Sequence, residues 1–221
     1  MPECLWADLG RMHYAAALDL QRDRVERRQR GEIPDMLLLL EHPHVITLGR
    51  TGRRENLLAG EEHLRRAGVE FYSTDRGGDI TYHGPGQLVG YPILDLRYWK
   101  RDVAAYLRAL EEALIGALGE FGIRAGRVEG MTGVWAEGAK IAAMGVHISR
   151  WVTSHGFALN VNTDLTYFQY IIPCGLAGKA VTSMERLRGA APVRERVIAA
   201  VVEHFGRTFD RQMTAEVLCP T

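Results

Sequence analysis

Cys174 and Lys140 are the two side chains whose settings depart most from ordinary packing. Cys174 follows two isoleucines and sits between Pro173 and Gly175, with Gly178 and the polar run KAVTSM close behind. An isolated internal cysteine is ordinarily a small buried hydrophobe. A glycine-flanked loop with hydrogen-bonding neighbours also makes a thiol reachable, and a cation or helix N-terminus beside it would make it a nucleophile. Lys140 opens the apolar stretch KIAAMGV and is the only lysine between Lys100 and Lys179. Desolvation there would let a lysine exchange protons near neutrality; a strand-end lysine with its amine in solvent is the competing reading. His155, within TSHGF, is a second candidate partner for the thiol. It would act as the base of a Cys–His pair or as a structural or substrate-positioning residue.

The segment RGGDITYHGPGQLVGYP, residues 76–92, concentrates the special backbone formers. Gly77, Gly78, Gly84 and Gly86 allow tight turns and close ligand approach, and Pro85 stiffens the loop between them. Arg76, Thr81, Tyr82, His83 and Gln87 add polar groups, so the segment reads as a substrate-binding loop rather than a connector. It matches neither GxxxxGK[ST] nor GxGxxG, which removes support for a P-loop or a dinucleotide fingerprint. A metal site has little support: His42 and His44 flank Pro43 without a cysteine or carboxylate set of recognised spacing, and they read as a structural turn. Cys4 and Cys219 carry no expected chemistry.

These residues must be held by a framework, which the apolar periodicity outlines. Residues 12–30 read as an amphipathic helix with Tyr14, Leu18 and Val25 on one face and a solvated basic face, stopped by Gly31. Met36–Leu40 and Val45–Leu48 read as strands, 60–67 as a short helix and 69–73 as another strand. LVGYPILDL supplies a further buried strand. The clearest helix is 101–118, where Val103, Leu107, Leu110, Leu114 and Leu118 recur at three and four. Short β-like pieces follow from 127 to 163, turning at Glu137–Gly138, and a short element lies near 165–171. A last helix spans 192–206 with Pro192 in its first turn. The pattern predicts one α+β domain over residues 1–221, with room for a small C-terminal subdomain after about 177.

Composition narrows the function. The 27 basic and 27 acidic side chains give a net charge of +0, which argues against a nonspecific nucleic-acid binder working by bulk counterion release. The three cysteines, too few for a disulfide framework, suit a reducing compartment. The acidic Glu3 and Asp8, with no apolar stretch before Arg11, lead us to expect no signal peptide, and the longest apolar run near the start is five residues, against the roughly 20 that span a bilayer. A cytoplasmic protein without membrane attachment is expected.

The same residues carry a family resemblance. RGGDITYHGPGQLVGYPILDL, KIAAMGVHISRWVTSHGFALNVNTDL, and the PCG at 173–175 followed by VTSM resemble the signatures of the octanoyltransferases of lipoate assembly, from about residue 36 to 187. Met184, where many members have leucine, is a conservative departure. The resemblance implies the fold of the biotin/lipoate protein ligases, a mixed β-sheet packed against helices. It implies transfer of an octanoyl group from octanoyl-acyl carrier protein to a lysine of a lipoyl domain, the first step of endogenous protein lipoylation. The acceptors implied are lipoyl domains of 2-oxoacid dehydrogenase complexes and the glycine cleavage H protein. Cys174 matches the family's thioester-forming nucleophile and Lys140 its lysine partner. Arg76, Gly77, Gly78, Asp79, Ile80, Thr81, Tyr82 and His83 match its acyl-binding segments, as do Ala143, Met144, Gly145, Gly156, Phe157 and Ala158. His155 remains an accessory candidate. No cofactor, metal or nucleotide is implied. An ATP-dependent ligase on the same fold would not need the cysteine, and a non-catalytic binding module would gain nothing from the Cys–Lys pair.

Overall fold

Five consecutive apolar residues, Met36 to Leu40, are all buried only if both faces of their strand are covered, and this is the arrangement found. The computed structural model describes residues 1–172 and 180–217. The chain begins with β1 (Glu3–Arg11), α1 (Tyr14–Gln29), β2 (Asp35–Glu41) and β3 (Val45–Leu48). Next come α2 (Glu61–Arg66), β4 (Glu70–Ser73), β5 (Ile80–His83) and β6 (Gln87–Ile93). Then follow α3 (Val103–Gly119), β7 (Ala125–Val128), β8 (Met131–Ala136), β9 (Ala139–Ser149) and β10 (Val152–Asn160). The last elements are α4 (Met184–Arg188), α5 (Arg194–Phe209) and β11 (Gln212–Ala215). Short 3-10 turns occur at Arg54–Asn56, Leu96–Tyr98 and Leu165–Tyr170.

Eight strands form a mixed sheet in the order β11-β1-β2-β6-β10-β9-β8-β7, and β4-β3-β5 form a second, smaller sheet. Leu37 and Leu39 of β2 join Leu88, Phe157 and Leu159 against α3 and α5. Met36, Leu38 and Leu40 join Val89, Tyr91 and Ala158 on the opposite face, which α1 covers through Ala17. The small sheet has its own core of Ile46, Ile80 and Tyr82, closed by Leu64, Val69 and Ile171. The expected α+β architecture is therefore present, and no described helix is long and apolar enough to cross a membrane.

Several local expectations change. Residues 80–83 are a strand rather than part of a loop, paired antiparallel with β3. β1 and β11 lacked a clear sequence pattern and exist because β1 inserts parallel between β2 and β11. Pro192 lies outside α5, whose N-cap is Val193. α5 shares its core with α3. On α1 the buried positions are Tyr14, Ala17 and Gln21. Nor is the basic face all solvated: Arg28 Nε donates to Asp35 Oδ1 at 2.9 Å, while Arg211 Nε donates to Asp35 Oδ2 at 2.9 Å. The buried Asp35 carboxylate needs such partners, and they tie α1 and the approach to β11 onto β2. The Glu137–Gly138 turn is as expected, both residues at positive φ. The hairpin between β9 and β10 turns through Arg150 and Trp151, at φ 49 and 69, residues that carry no turn signal.

Candidate active site

Small side chains on β9 and β10 leave room above the sheet. Ala143 pairs with Ala158 and Gly145 with Gly156, and these four contribute to the wall of a cavity of about 570 Å³. The loop at 76–79 lies directly across β9: the Gly77 N–H donates to Val146 O at 2.8 Å. A Cβ at Gly145 would stand 2.7 Å from Gly77 O, so only glycine lets loop and strand approach this closely. Gly78 takes φ +87, a left-handed conformation that suits glycine.

Arg76 is buried and supports this loop from within. Its Nε and one Nη donate to Thr47 Oγ1 at 3.1 and 3.0 Å, that Nη also reaches the carbonyls of Thr47 and Asp79 at 2.7 Å, and the other donates to Gly77 O at 3.1 Å. The Asp79 carboxylate accepts from Arg53 N–H at 3.2 Å and Asn56 Nδ2 at 2.5 Å. Both residues border the cavity, yet these hydrogen bonds hold the loop to β3 and its neighbours.

Strand alternation sorts the rest. Ile80, Thr81 and His83 line the cavity together with Arg76 to Asp79, Ala143 to Gly145, and His155 to Ala158. Tyr82 does not. It points into the small sheet's core, stacked on Tyr167 at 5.1 Å and hydrogen-bonded to His44 Nδ1 at 2.8 Å. Tyr82 shares that core with Ile80, which also reaches the cavity, while Thr81 and His83 leave the strand on the opposite face.

His83 Nδ1 donates to Gln87 Oε1 at 2.8 Å, and burial, with His42 and Arg76 nearby, pushes its pKa down to about 3. The ring is therefore neutral. Gln87 Nε2 donates onward to Asn160 Oδ1 at 2.9 Å, and Asn160 Nδ2 to Thr182 O at 3.0 Å. The Thr182 N–H donates to Lys140 O at 3.0 Å, and the Lys140 N–H to Ala180 O at 2.9 Å. A continuous hydrogen-bonded path thus links the glycine-rich segment to the backbone of Lys140. The Lys140 side chain borders the cavity, its Nζ 4.9 Å from the centroid of the Trp135 ring.

His155 also faces the cavity. It is buried, takes φ 54 within β10, and its Nε2 donates to Asp75 Oδ1 at 2.8 Å. That hydrogen bond holds the Asp75 carboxyl well below the usual range, reinforced by the charges of His155 and His147. The backbone N–H of His155 donates to Gln21 Oε1 at 2.7 Å, which explains the buried glutamine on α1.

Cys174 and Cys219 lie outside the described residues. On either side of the cysteine segment, the Ile172 N–H donates to Asn56 O at 2.8 Å and Ala180 pairs with Lys140. The segment's following flank is thereby anchored beside the lysine. Cys4 is buried, and burial pushes its thiol pKa far up. His42 donates from Nδ1 to Met12 O and accepts from Tyr91 Oη, both at 2.7 Å, a structural role. No group of three or more metal-ligating side chains occurs among the described residues. The sequence reading missed Tyr14, Thr51, Tyr91, Val103, Leu107 and Met131 as cavity residues. Each looks locally like a core or surface position, and only the tertiary fold turns it inward.

A largely apolar cavity bordered by a lysine suits an acyl chain, and comparison with known proteins agrees. Residues 13–206 match the family model described as lipoyl protein ligase A/B catalytic domain. An octanoyltransferase of Solibacter usitatus is 62% identical over 213 residues, covering 96% of each chain. The chain belongs to the octanoyltransferase family. A second member, from Koribacter versatilis, is 53% identical over 211 residues, spanning 93% of this chain and 84% of that one. Membership makes the protein an acyltransferase of lipoate biosynthesis and protein lipoylation. The fold extends further than the sequence. A bi-partite lipoate protein ligase from Thermoplasma acidophilum superposes with a TM-score of 0.80 at 16% identity, over 99% of this chain and 88% of that one. A biotin protein ligase from Aquifex aeolicus gives 0.52 at 13% identity, over 95% and 70%.

Proposed function

We propose that residues 1–221 act as one catalytic domain that moves an octanoyl group from octanoyl-acyl carrier protein to a lysine ε-amine on lipoyl domains. The acceptors are those of 2-oxoacid dehydrogenase complexes and the glycine cleavage H protein. The protein works in the cytoplasm, where reducing conditions keep its thiol free. The observation that carries this reading is Lys140 at the wall of an apolar, glycine-floored cavity, with residue 180 of the cysteine segment's flank paired to it.

The chemistry divides one transfer into two. The Cys174 thiolate attacks the donor thioester carbonyl; a C–S bond forms and the bond to the donor's phosphopantetheine sulfur breaks. That departing thiolate takes a proton from the Lys140 ammonium. The acceptor lysine's amine then attacks the Cys174 thioester, forming the C–N bond, releasing the Cys174 thiolate and returning a proton to the Lys140 amine. Thioester exchange is nearly isoenergetic and amide formation is downhill, so no nucleotide is consumed. The apolar cavity accounts for the chain: burying about seven methylene or methyl units at roughly 0.8 kcal/mol each contributes around 5–6 kcal/mol before ordering costs.

Intact-mass measurement after mixing with octanoyl-acyl carrier protein, without ATP, tests the reading. A hydroxylamine-labile gain of one octanoyl group, lost on adding a lipoyl domain that then gains it, is the expected result. Transfer only from free octanoate plus ATP would assign ligase chemistry instead.

A further inference from the structure

The register of β8 against β9 brings one more residue to Lys140. Val134 pairs with Ala142 but Trp135 pairs with Lys140, so Ile141 is the extra residue of a bulge, a device that re-aims side chains. It sets the Lys140 Nζ 4.9 Å from the centroid of the Trp135 ring. Trp135 is only 5% exposed, so neighbours confine the ring. Its indole N–H has no hydrogen-bond partner among the described residues, so packing and the contact with the ammonium hold the ring there.

The lysine stem is constrained as well. Gly133 takes φ +126, and a Cβ there would stand 3.3 Å from Lys140 Cε and 2.8 Å from Ala142 O. The Gly133 N–H donates to Oε1 of the fully buried Glu111 at 3.0 Å. The other oxygen of Glu111 accepts from Arg108 at 2.6 Å and Arg127 at 3.0 Å. Lys140 therefore runs past a pinned glycine to an aromatic face.

We propose that Trp135 is a positioning residue for acyl transfer, its indole face holding the Lys140 ammonium at the cavity wall where it acts on the thiol. The proposal rests on the role given to Lys140 above. The face of an indole attracts a cation and loses that attraction when the proton leaves. It thereby favours the charged lysine that stabilises a thiolate between turnovers.

The test combines single-turnover acylation with the pH dependence of iodoacetamide labelling at Cys174, in Trp135→Met, Trp135→Phe, Lys140→Ala and the Trp135→Met/Lys140→Ala double variant. Trp135→Met should slow acylation by about 2- to 30-fold. It should also move the labelling midpoint toward that of an ordinary thiol, about 8.5. Trp135→Phe, which keeps an aromatic face, should recover most of both. In the Lys140→Ala background Trp135→Met should add nothing. Equal slowing in that background, or an unmoved midpoint in Trp135→Met, would assign Trp135 a merely structural role and overturn the proposal. Wild-type acylation and labelling in Lys140→Ala itself would instead overturn the reading of the lysine, and this inference with it. Circular dichroism checks each fold. Should Trp135→Met not fold, Trp135→Leu, which also fills the site without an aromatic face, is expected to give the same shift, and an unmoved midpoint there would equally overturn the proposal.

Discussion

His155 has two readings, and its hydrogen bond to Asp75 is compatible with both. A histidine that serves as the thiol's base needs a ring nitrogen directed at the sulfur and a group that orients the other nitrogen. His155 gives its Nε2 hydrogen to Asp75, a half-exposed carboxylate just ahead of the glycine loop, so the pair also fastens that loop to β10. With Lys140 as the thiol's partner, His155→Ala is expected to raise KM for the acyl donor while leaving the Cys174 labelling profile close to wild type. A labelling midpoint carried to about 8.5 by His155→Ala, but left in place by Lys140→Ala, would replace the Cys–Lys pair with Cys–His. Acyl transfer itself would still stand.

At the scale of elements, the site depends on how a loop lies on a strand. The backbone N–H groups of Gly49, Arg50 and Thr51 donate to the carbonyls of Asp79, Arg76 and Gly78 at 3.1, 2.9 and 3.3 Å. Loop 76–79 is thereby held between the end of β3 and the edge of β9. Gly78→Val and Gly145→Val disturb this in different ways. At Gly78 the nearest atom to a new Cβ is an Arg76 nitrogen at 3.6 Å, so space is available and the cost is the left-handed backbone, which a β-branched residue resists. At Gly145 the new Cβ meets a carbonyl oxygen, and the loop must lift off the strand. Both should lose donor-dependent acylation with the fold retained, measured at subsaturating donor, and Gly145→Val should lose more. Normal acylation in both would remove the loop from the binding surface.

For the whole molecule, two buried histidines contribute the first part of the response to acid. Burial, offset in part by its hydrogen bond to Met12, pushes the His42 pKa down to about 4, and burial pushes His83 down to about 3. Unfolded, both titrate near 6.5, so below that pH the unfolded chain binds protons that the folded chain refuses. The stability these groups contribute is fully present above pH 6.5. It falls as pH drops toward 4, by up to about 1.4 kcal/mol per pH unit for each histidine. Urea midpoints should be flat between pH 7.5 and 6.5 as far as these groups are concerned, then decline. His83→Gln should flatten the decline, and a midpoint unmoved between pH 6.5 and 5 would contradict the account.

How much of this was legible beforehand follows from the range of the forces involved. Helix α3 announces itself because Leu110, Leu114 and Leu118 recur on one face, and β2 because an unbroken apolar run must be covered on both sides. The motifs at 76–83, 140–145 and 155–158 are likewise contiguous, so their resemblance to the octanoyltransferases and the α+β expectation came from sequence alone, and both agree with the fold and the relatives found. Cavity membership is different. Tyr82 is excluded and Thr81 admitted by the pleat of β5, while Val103 and Met131 enter because α3 and β8 flank the same opening. β1 and β11 exist through pairing across about 200 residues, and Trp135 meets Lys140 through a bulge in register. Residue types, their short-range spacing and the chemistry they can perform were determined by the sequence itself. Which side chains converge, which carbonyl a buried donor reaches and which glycine tolerates no Cβ were decided only in the tertiary structure, because contacts between distant segments leave no local period in the chain.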